Sequence, residues 1–229
     1  MKLPLILLFC GSLGAQSLDV SGSVTITRPP STKSTRTDYS GVVVWLRPVG
    51  GAPRLTGHPK FEMRQSHKHF EPHLLVVPVG SLVSFPNLDP YFHNVFSMYD
   101  GTRFDLGLYE AGVSRNFTFT RPGVSFVFCN IHPEMSAAIV VVDSSYYAIT
   151  NATGQFSIGG VPPGRYRVYA WHERASSTAP QTLPVVELSR EASSIAPFSL
   201  IDTGELLIPH KNKYGRDYPT PSPATGYHR

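Results

Sequence analysis

Short apolar runs, broken every few residues by Gly, Pro, Asn or Asp, extend along most of the chain. Few apolar positions recur at the three- and four-residue spacing of a helix, so the runs specify strands. Residues 18–27 alternate weakly between apolar and polar. Residues 28–40 are polar, carry Pro29-Pro30, and read as a loop. The continuous run 41–46, with Val42, Val43, Val44, Trp45 and Leu46, predicts a buried strand. A second block predicts strands at 61–65, 70–77, 82–85, 94–98, 114–119, 123–128 and 137–142. Within it, 99–112 carries Gly101 and Gly107 and reads as loop. A third block predicts strands at 146–150, 155–158, 165–171, 181–188 and 196–200. Turns are expected at 151–154 and 161–164. From Thr203 the chain is polar, with Pro219, Pro221 and Pro223, and 203–229 reads as a disordered tail. The fold class is all-β.

Composition narrows this picture. With 229 residues, 41% of them hydrophobic, the chain can bury one large core or two small ones. Its 21 prolines and 19 glycines argue against a helical bundle. The net charge of +4 is scattered, with no basic stripe interleaved with aromatics, so nucleic acid is not an expected partner. Residues 1–17 have the layout of a secretory signal peptide. Lys2 is followed by an apolar stretch to Phe9 and then by Gly11, Ser12, Gly14 and Ala15. A periplasmic or secreted location follows. Cys10 opens a lipoprotein alternative, against which Phe9 just before it counts. No other run reaches the ~18 apolar residues of a membrane span.

Export sharpens the cysteine count. If Cys10 leaves with the signal, Cys129 has no partner in the chain. Exported cysteines are commonly paired. An unpaired thiol there is buried in a core, joined to another chain, or bound to a metal.

Cys129-x2-His132-x2-Met135 lies between two apolar strands. A thiolate, an imidazole and a thioether within seven residues form a soft-ligand set suited to copper. A blue-copper centre takes two histidines, one cysteine and a weak axial methionine. His93, at a strand end well upstream, is the candidate for the other histidine. The plainer alternative is a core cysteine beside a loop histidine. Structural zinc wants several thiolates and haem attachment wants C-x2-C-H, neither of which the chain offers. A second group comprises His67, His69 and His73, with His58 upstream. If 67–69 is a strand, two imidazoles share one face and could bind a metal; a solvated edge or hairpin loop is the plainer reading. No nucleophile–base pair is visible, so the chain does not read as an enzyme.

These residues carry a resemblance. Phe70-x-Pro72, Val77-x2-Gly80-x2-Val83-x-Phe85-x-Asn87, His93-Asn94 and Cys129-x2-His132-Pro133-x-Met135 stand in the order of the cupredoxins of plastocyanin/amicyanin type. The ligand loop has the short amicyanin-like length. Pro86-Asn87-x-Asp89-Pro90-x-Phe92-His93-Asn94-Val95-Phe96-Ser97 is similar to methylamine-utilisation and plastocyanin-like proteins. For residues 60–143 the resemblance implies a Greek-key sandwich holding one type 1 copper. His93, Cys129 and His132 would be strong ligands, Met135 the weak axial one, and Asn94 an outer contact. It implies a one-electron carrier that exchanges electrons through the edge of His132, within a patch of Pro133, Phe92 and Tyr91. The partner would be a cytochrome or a dehydrogenase. Copper delivery, or a structural role with a vestigial site, are the other readings.

Thr150-Asn151-x2-Gly154-x-Phe156-x-Ile158-x2-Val161-Pro162-Pro163-Gly164-x-Tyr166-x-Val168 is similar to the carboxypeptidase regulatory-like β-sandwich. Its opening elements match Gly22-Ser23-Val24 and 41–46, far upstream. The expected arrangement is nested: 18–50 and 145–202 form one sandwich, with 60–143 inserted between them. The alternative is a cupredoxin with an N-terminal extension and a separate C-terminal domain. The resemblance suggests protein or carbohydrate docking for this second unit.

Overall fold

The computed structural model describes residues 17–28, 38–51, 55, 60–98, 101–175, 177, 179–202 and 211–218. Residues 1–16, where the signal peptide with Cys10 is expected, and His58 lie outside the described residues. Among those described there is no helix, and hence none long and apolar enough to cross a membrane.

The strands fall into three blocks along the chain. The first holds β1 (Leu18–Thr27) and β2 (Val43–Pro48). The second begins with β3 (Lys60–Glu62), β4 (Arg64–Ser66), β5 (His69–Glu71), β6 (Leu74–Pro78), β7 (Ser81–Pro86) and β8 (His93–Ser97). It continues with β9 (Phe104–Tyr109), β10 (Ser114–Phe119), β11 (Gly123–Phe128) and β12 (Ser136–Val142). The third holds β13 (Tyr147–Ile149), β14 (Gln155–Val161), β15 (Gly164–Trp171), β16 (Gln181–Leu188) and β17 (Phe198–Ile201).

Strands of the first and third blocks pair with one another, in the orders β14-β1-β17 and β13-β2-β15-β16. Val20 stands opposite Ile158, and Val44 opposite Ala170. The two sheets enclose Val20, Val24, Val44, Leu46, Phe156, Val168 and Leu200. The second block makes two larger sheets, β10-β7-β3 and β6-β12-β11-β8-β9, around Val83, Phe85, Phe119, Val127 and Ile139, and a small two-stranded one, β4-β5. Among the described residues, no strand of the second block pairs with a strand of the other two.

A third apolar layer joins the two sandwiches. Val43, Trp45 and Trp171 pack against Phe96, Phe126, Phe128 and Val140. This explains the unbroken apolar runs. In β12, Ala137, Ile139 and Val141 face the second sandwich's core, while Ala138, Val140 and Val142 face the layer between sandwiches. In β2, Val44 and Leu46 face one core, and Val43 and Trp45 the other layer. Strands buried on both faces cannot alternate with polar residues.

Four local expectations change. The loop expected over 99–112 contains β9, which pairs with β8 through a register shift between Asn94 and Phe96. Gly107, at φ 73, lies opposite that irregularity, and a strand interior that needs a left-handed residue looks like a loop in sequence. The strand expected over 61–65 breaks at Met63 into β3 and β4, which serve different sheets. Residues 67–69 are not one strand. His67 and Lys68, at φ 53 and 58, form the tight turn of the β4–β5 hairpin, a left-handed pair whose twist suits a two-residue hairpin loop. Within the stretch 203–229, residues 211–218 form a turn that lies against the second sandwich; the rest of that stretch is outside the described residues.

Candidate metal centre

Two loops at one end of the second sandwich converge. β8 opens with His93, and the loop 129–135 joins β11 to β12. The pairing of Phe128 with both Ser136 and Phe96 brings the loop's ends together and sets it beside β8. Backbone bonds close the loop: Cys129 N–H donates to the Met135 carbonyl at 3.3 Å, and Met135 N–H to the His132 carbonyl at 3.1 Å. A short loop with both ends on paired strands has little freedom to move its side chains apart.

Three donor atoms meet there. Cys129 Sγ lies 3.8 Å from His93 Nδ1 and 3.6 Å from His132 Nδ1, and the two nitrogens are 3.1 Å apart. An ion bound at about 2.0–2.3 Å in the centre of such a trigonal set would place its ligands about 3.5–3.8 Å apart. The sulfur–nitrogen edges match, and the nitrogen–nitrogen edge is slightly short. His93 and Cys129 are fully buried, while His132 is half-buried. Burial and the facing His93 imidazole hold His132 below the ordinary histidine pKa. Burial pushes the Cys129 thiol up, although the backbone N–H groups of Asn94, Ile131 and His132 oppose it by donating to the sulfur. Ligation of a metal by this sulfur would draw on those same donors, because they favour the thiolate.

The other nitrogen of His93 fixes how its ring is turned. Nε2 lies 2.8 Å from Oδ2 of Asp89, so the proton sits on Nε2 and the Nδ1 lone pair faces the cluster. Asp89 is itself buried, 5% exposed. Its Oδ1 accepts the His67 N–H at 2.7 Å, and its Oδ2 the Lys68 N–H at 2.9 Å. Burial would raise its carboxyl, but the bonds from Lys68, His93 and His67 outweigh that and leave it below the usual range. Asn87 shapes the loop that carries Asp89. It accepts the Asp89 N–H at 3.0 Å and donates to the Tyr91 carbonyl at 2.7 Å.

The sequence candidates are thus brought together in part. His93, Cys129 and His132 form the one group of His, Cys, Asp or Glu among the described residues with metal-binding dimensions. Met135 is fully buried in the core cluster that contains Cys129. Asn94 directs its backbone at the sulfur and its side chain at Asp105 and the Gly107 carbonyl. The other histidines stand apart. His69 Nδ1 bonds the His67 carbonyl at 2.7 Å, and His73 pairs with Glu173. Asp89 stands inside the motif around His93 and has no expected role in the sequence; a carboxylate four residues before a candidate ligand histidine is the available signal.

Leu88, Tyr91, Phe92 and Ile131, carried on the same two loops, are all exposed. The Tyr91 ring packs on both imidazoles, with centroids 5.6 Å from His93 and 6.0 Å from His132.

No family model matches the chain, and no curated protein does. Among solved structures, it is similar to a purple cupredoxin from Nitrosopumilus maritimus at 22% identity, over 36% of this chain and 99% of that one, with a TM-score of 0.33. It is similar to the reduced state of a point mutant of amicyanin at 25% identity, over 36% and 81%, with a TM-score of 0.34. It is also similar to a copper-containing nitrite reductase from Thermus scotoductus SA-01 at 23% identity, over 51% of this chain and 28% of that one, with a TM-score of 0.36. Overlaps of this extent leave the functional reading to the donor set itself.

Proposed function

We propose that the protein is an exported type 1 copper protein that carries single electrons. His93, Cys129 and His132 would be the strong ligands and Met135 the weak axial one. The observation that carries this reading is the convergence of one sulfur and two Nδ1 atoms, with the His93 tautomer set by Asp89. One soft thiolate and two imidazoles are a donor set that suits copper better than magnesium or calcium. When bound, the metal supplies a Cu(I)/Cu(II) couple.

The chain's own residues do the rest. The loop 129–135 and Asp89 hold the donors in place in both oxidation states, so little rearrangement accompanies the electron. His132, half-buried among exposed apolar residues, is the route to the surface. Leu88, Phe92 and Ile131 surround a docking face suited to the small interfaces of transient redox encounters. The partner is a cytochrome or dehydrogenase. The sandwich of 18–50 and 145–202, the carboxypeptidase regulatory-like module of this reading, acts as scaffold and docking platform.

Titration of metal-free protein with Cu(II) tests this. One equivalent is expected to bind with an intense visible thiolate-to-copper band, absent in Cys129→Ser, and with a reversible one-electron wave in voltammetry. Copper binding without that band would overturn the type 1 assignment. A band with rapid copper loss to acceptors and no reversible wave would favour delivery.

A further inference from the structure

We propose that residues 211–218 form a strap that fastens the metal-binding loop to β8 and β9, making the C-terminal segment a working part of the centre. The proposal rests on the copper reading for its purpose but not for its geometry.

The strap is locally folded. Asn212 N–H donates to the Arg216 carbonyl and Gly215 N–H to the Asn212 carbonyl, each at 2.9 Å. The Asn212 side-chain oxygen accepts the N–H groups of Tyr214 and Arg216 at 3.0 and 3.1 Å. Gly215, at φ 74, completes the turn. An asparagine that bonds its own following backbone presets such a turn at small entropic cost.

Three contacts then reach the centre. The Tyr218 hydroxyl donates to the carbonyl of Cys129 at 2.9 Å. The Lys213 N–H donates to Asn130 Oδ1, also at 2.9 Å. The Lys213 ammonium pairs with Asp105 Oδ2 at 2.8 Å, with side chains only 19% and 32% exposed. Asp105 does not end the chain of contacts. Its Oδ1 accepts the Asn94 side-chain amide at 2.7 Å, and the Asn94 backbone N–H is directed at the Cys129 sulfur.

These contacts close a ring that leaves the sulfur-bearing residue through its carbonyl and returns through its sulfur. It passes through Tyr218, the strap, Lys213, Asp105 and Asn94. Both ligand-bearing elements are members of it: Cys129 and Asn130 belong to the loop 129–135, and Asn94, next to His93, to β8. An isolated surface ion pair stabilises little. Here the Lys213–Asp105 pair is sheltered, and its carboxylate is shared with the residue that supports the ligand sulfur. Removing the strap would leave the Cys129 carbonyl without its tyrosine donor and the Asn130 side chain without the Lys213 N–H, so the loop 129–135 would lose two of its outside tethers.

The test uses full-length protein, comparing wild type with Tyr218→Phe and with Tyr218→Phe/Lys213→Met. Backbone hydrogen exchange is followed in the metal-free form, and copper release to a Cu(I) chelator in the loaded form. Amides of 130–135 are expected to exchange roughly tenfold faster in the double variant, the factor expected when one or two such bonds are lost. Copper release should quicken by a similar factor, with β1 and β15 exchanging as in wild type. Wild-type exchange at 130–135 would overturn the proposal. So would uniformly faster exchange through both sandwiches, which would mark a general loss of stability. Failure of wild type to bind copper would instead sink the copper reading, and the exchange comparison would still decide the strap.

Discussion

Asp89 is a carboxylate with its bonding capacity directed inward, to His93 Nε2 and two backbone N–H groups. A neutral acceptor could set the same histidine tautomer. The charge adds something else: it makes His93 a stronger donor and favours the more positive oxidation state of a bound metal. Asp89→Asn keeps an acceptor and removes the charge. Loss of such an outer partner costs about 10–100-fold in metal affinity. If Cu(II) loses at least tenfold more than Cu(I), the reduction potential rises by about 60 mV or more, since tenfold is about 59 mV for one electron. Voltammetry of the variant measures this, and an unchanged or lower potential would contradict the role given to Asp89.

At the scale of elements, placement depends on turns. The β4–β5 hairpin exists in sequence as alternating residues around His67-Lys68, but its use is in the turn. The two left-handed residues aim successive N–H groups at one carboxylate, a small anion-binding nest. The β13–β14 turn shows how strictly such positions are specified. Gly154 has φ 79, and a Cβ there would lie 2.0 Å from the Val24 carbonyl oxygen. Gly154→Ala combines left-handed strain with a backbone clash, so a loss of about 2–4 kcal/mol is expected. Thermal unfolding would register it as a lowered midpoint. The visible spectrum of the copper-loaded variant should be unchanged below that midpoint, because the turn belongs to the other sandwich.

Across the whole molecule, the apolar layer of Trp45, Trp171, Phe126 and Phe128 holds the two sandwiches face to face. A polar clasp crosses the same boundary. His73 Nε2 lies 2.8 Å from the Glu173 carboxylate, and its Nδ1 lies 3.1 Å from the carbonyl of Ser136, the first residue after the loop 129–135. Both nitrogens face acceptors, so the doubly protonated ring fits best. The bond to Glu173 raises the His73 pKa above its ordinary value of 6.5 against the opposing effects of burial and Arg174. A raised histidine contributes stability that is fully present below its unfolded pKa and is lost as pH rises through the folded one. His73→Gln should therefore lower the thermal midpoint most near pH ~6 and least near pH ~9. The side chain is half exposed, so solvent screening keeps the difference below about 1 kcal/mol. A difference that grows with pH would contradict the clasp.

Much of this was legible in the chain because it is local. The all-β class follows from the periodicity of short apolar runs. The two-faced burial of 41–46 and 137–142 follows from their lack of polar residues. The donor types of the centre are readable at Cys129, His132 and Met135, since one loop carries all three. Other features depend on atoms far apart in sequence. β9 was hidden because Gly107 signals a loop until β8 lies beside it. Asp89 acquires its role from a hairpin turn more than twenty residues upstream, and Tyr218 from a carbonyl 89 residues away. Backbone preference and hydrophobic period act over a few residues and are written in composition. Which polar groups satisfy one another is decided when burial removes water and each must find a partner, and that assignment exists only once the two sandwiches and the strap are packed.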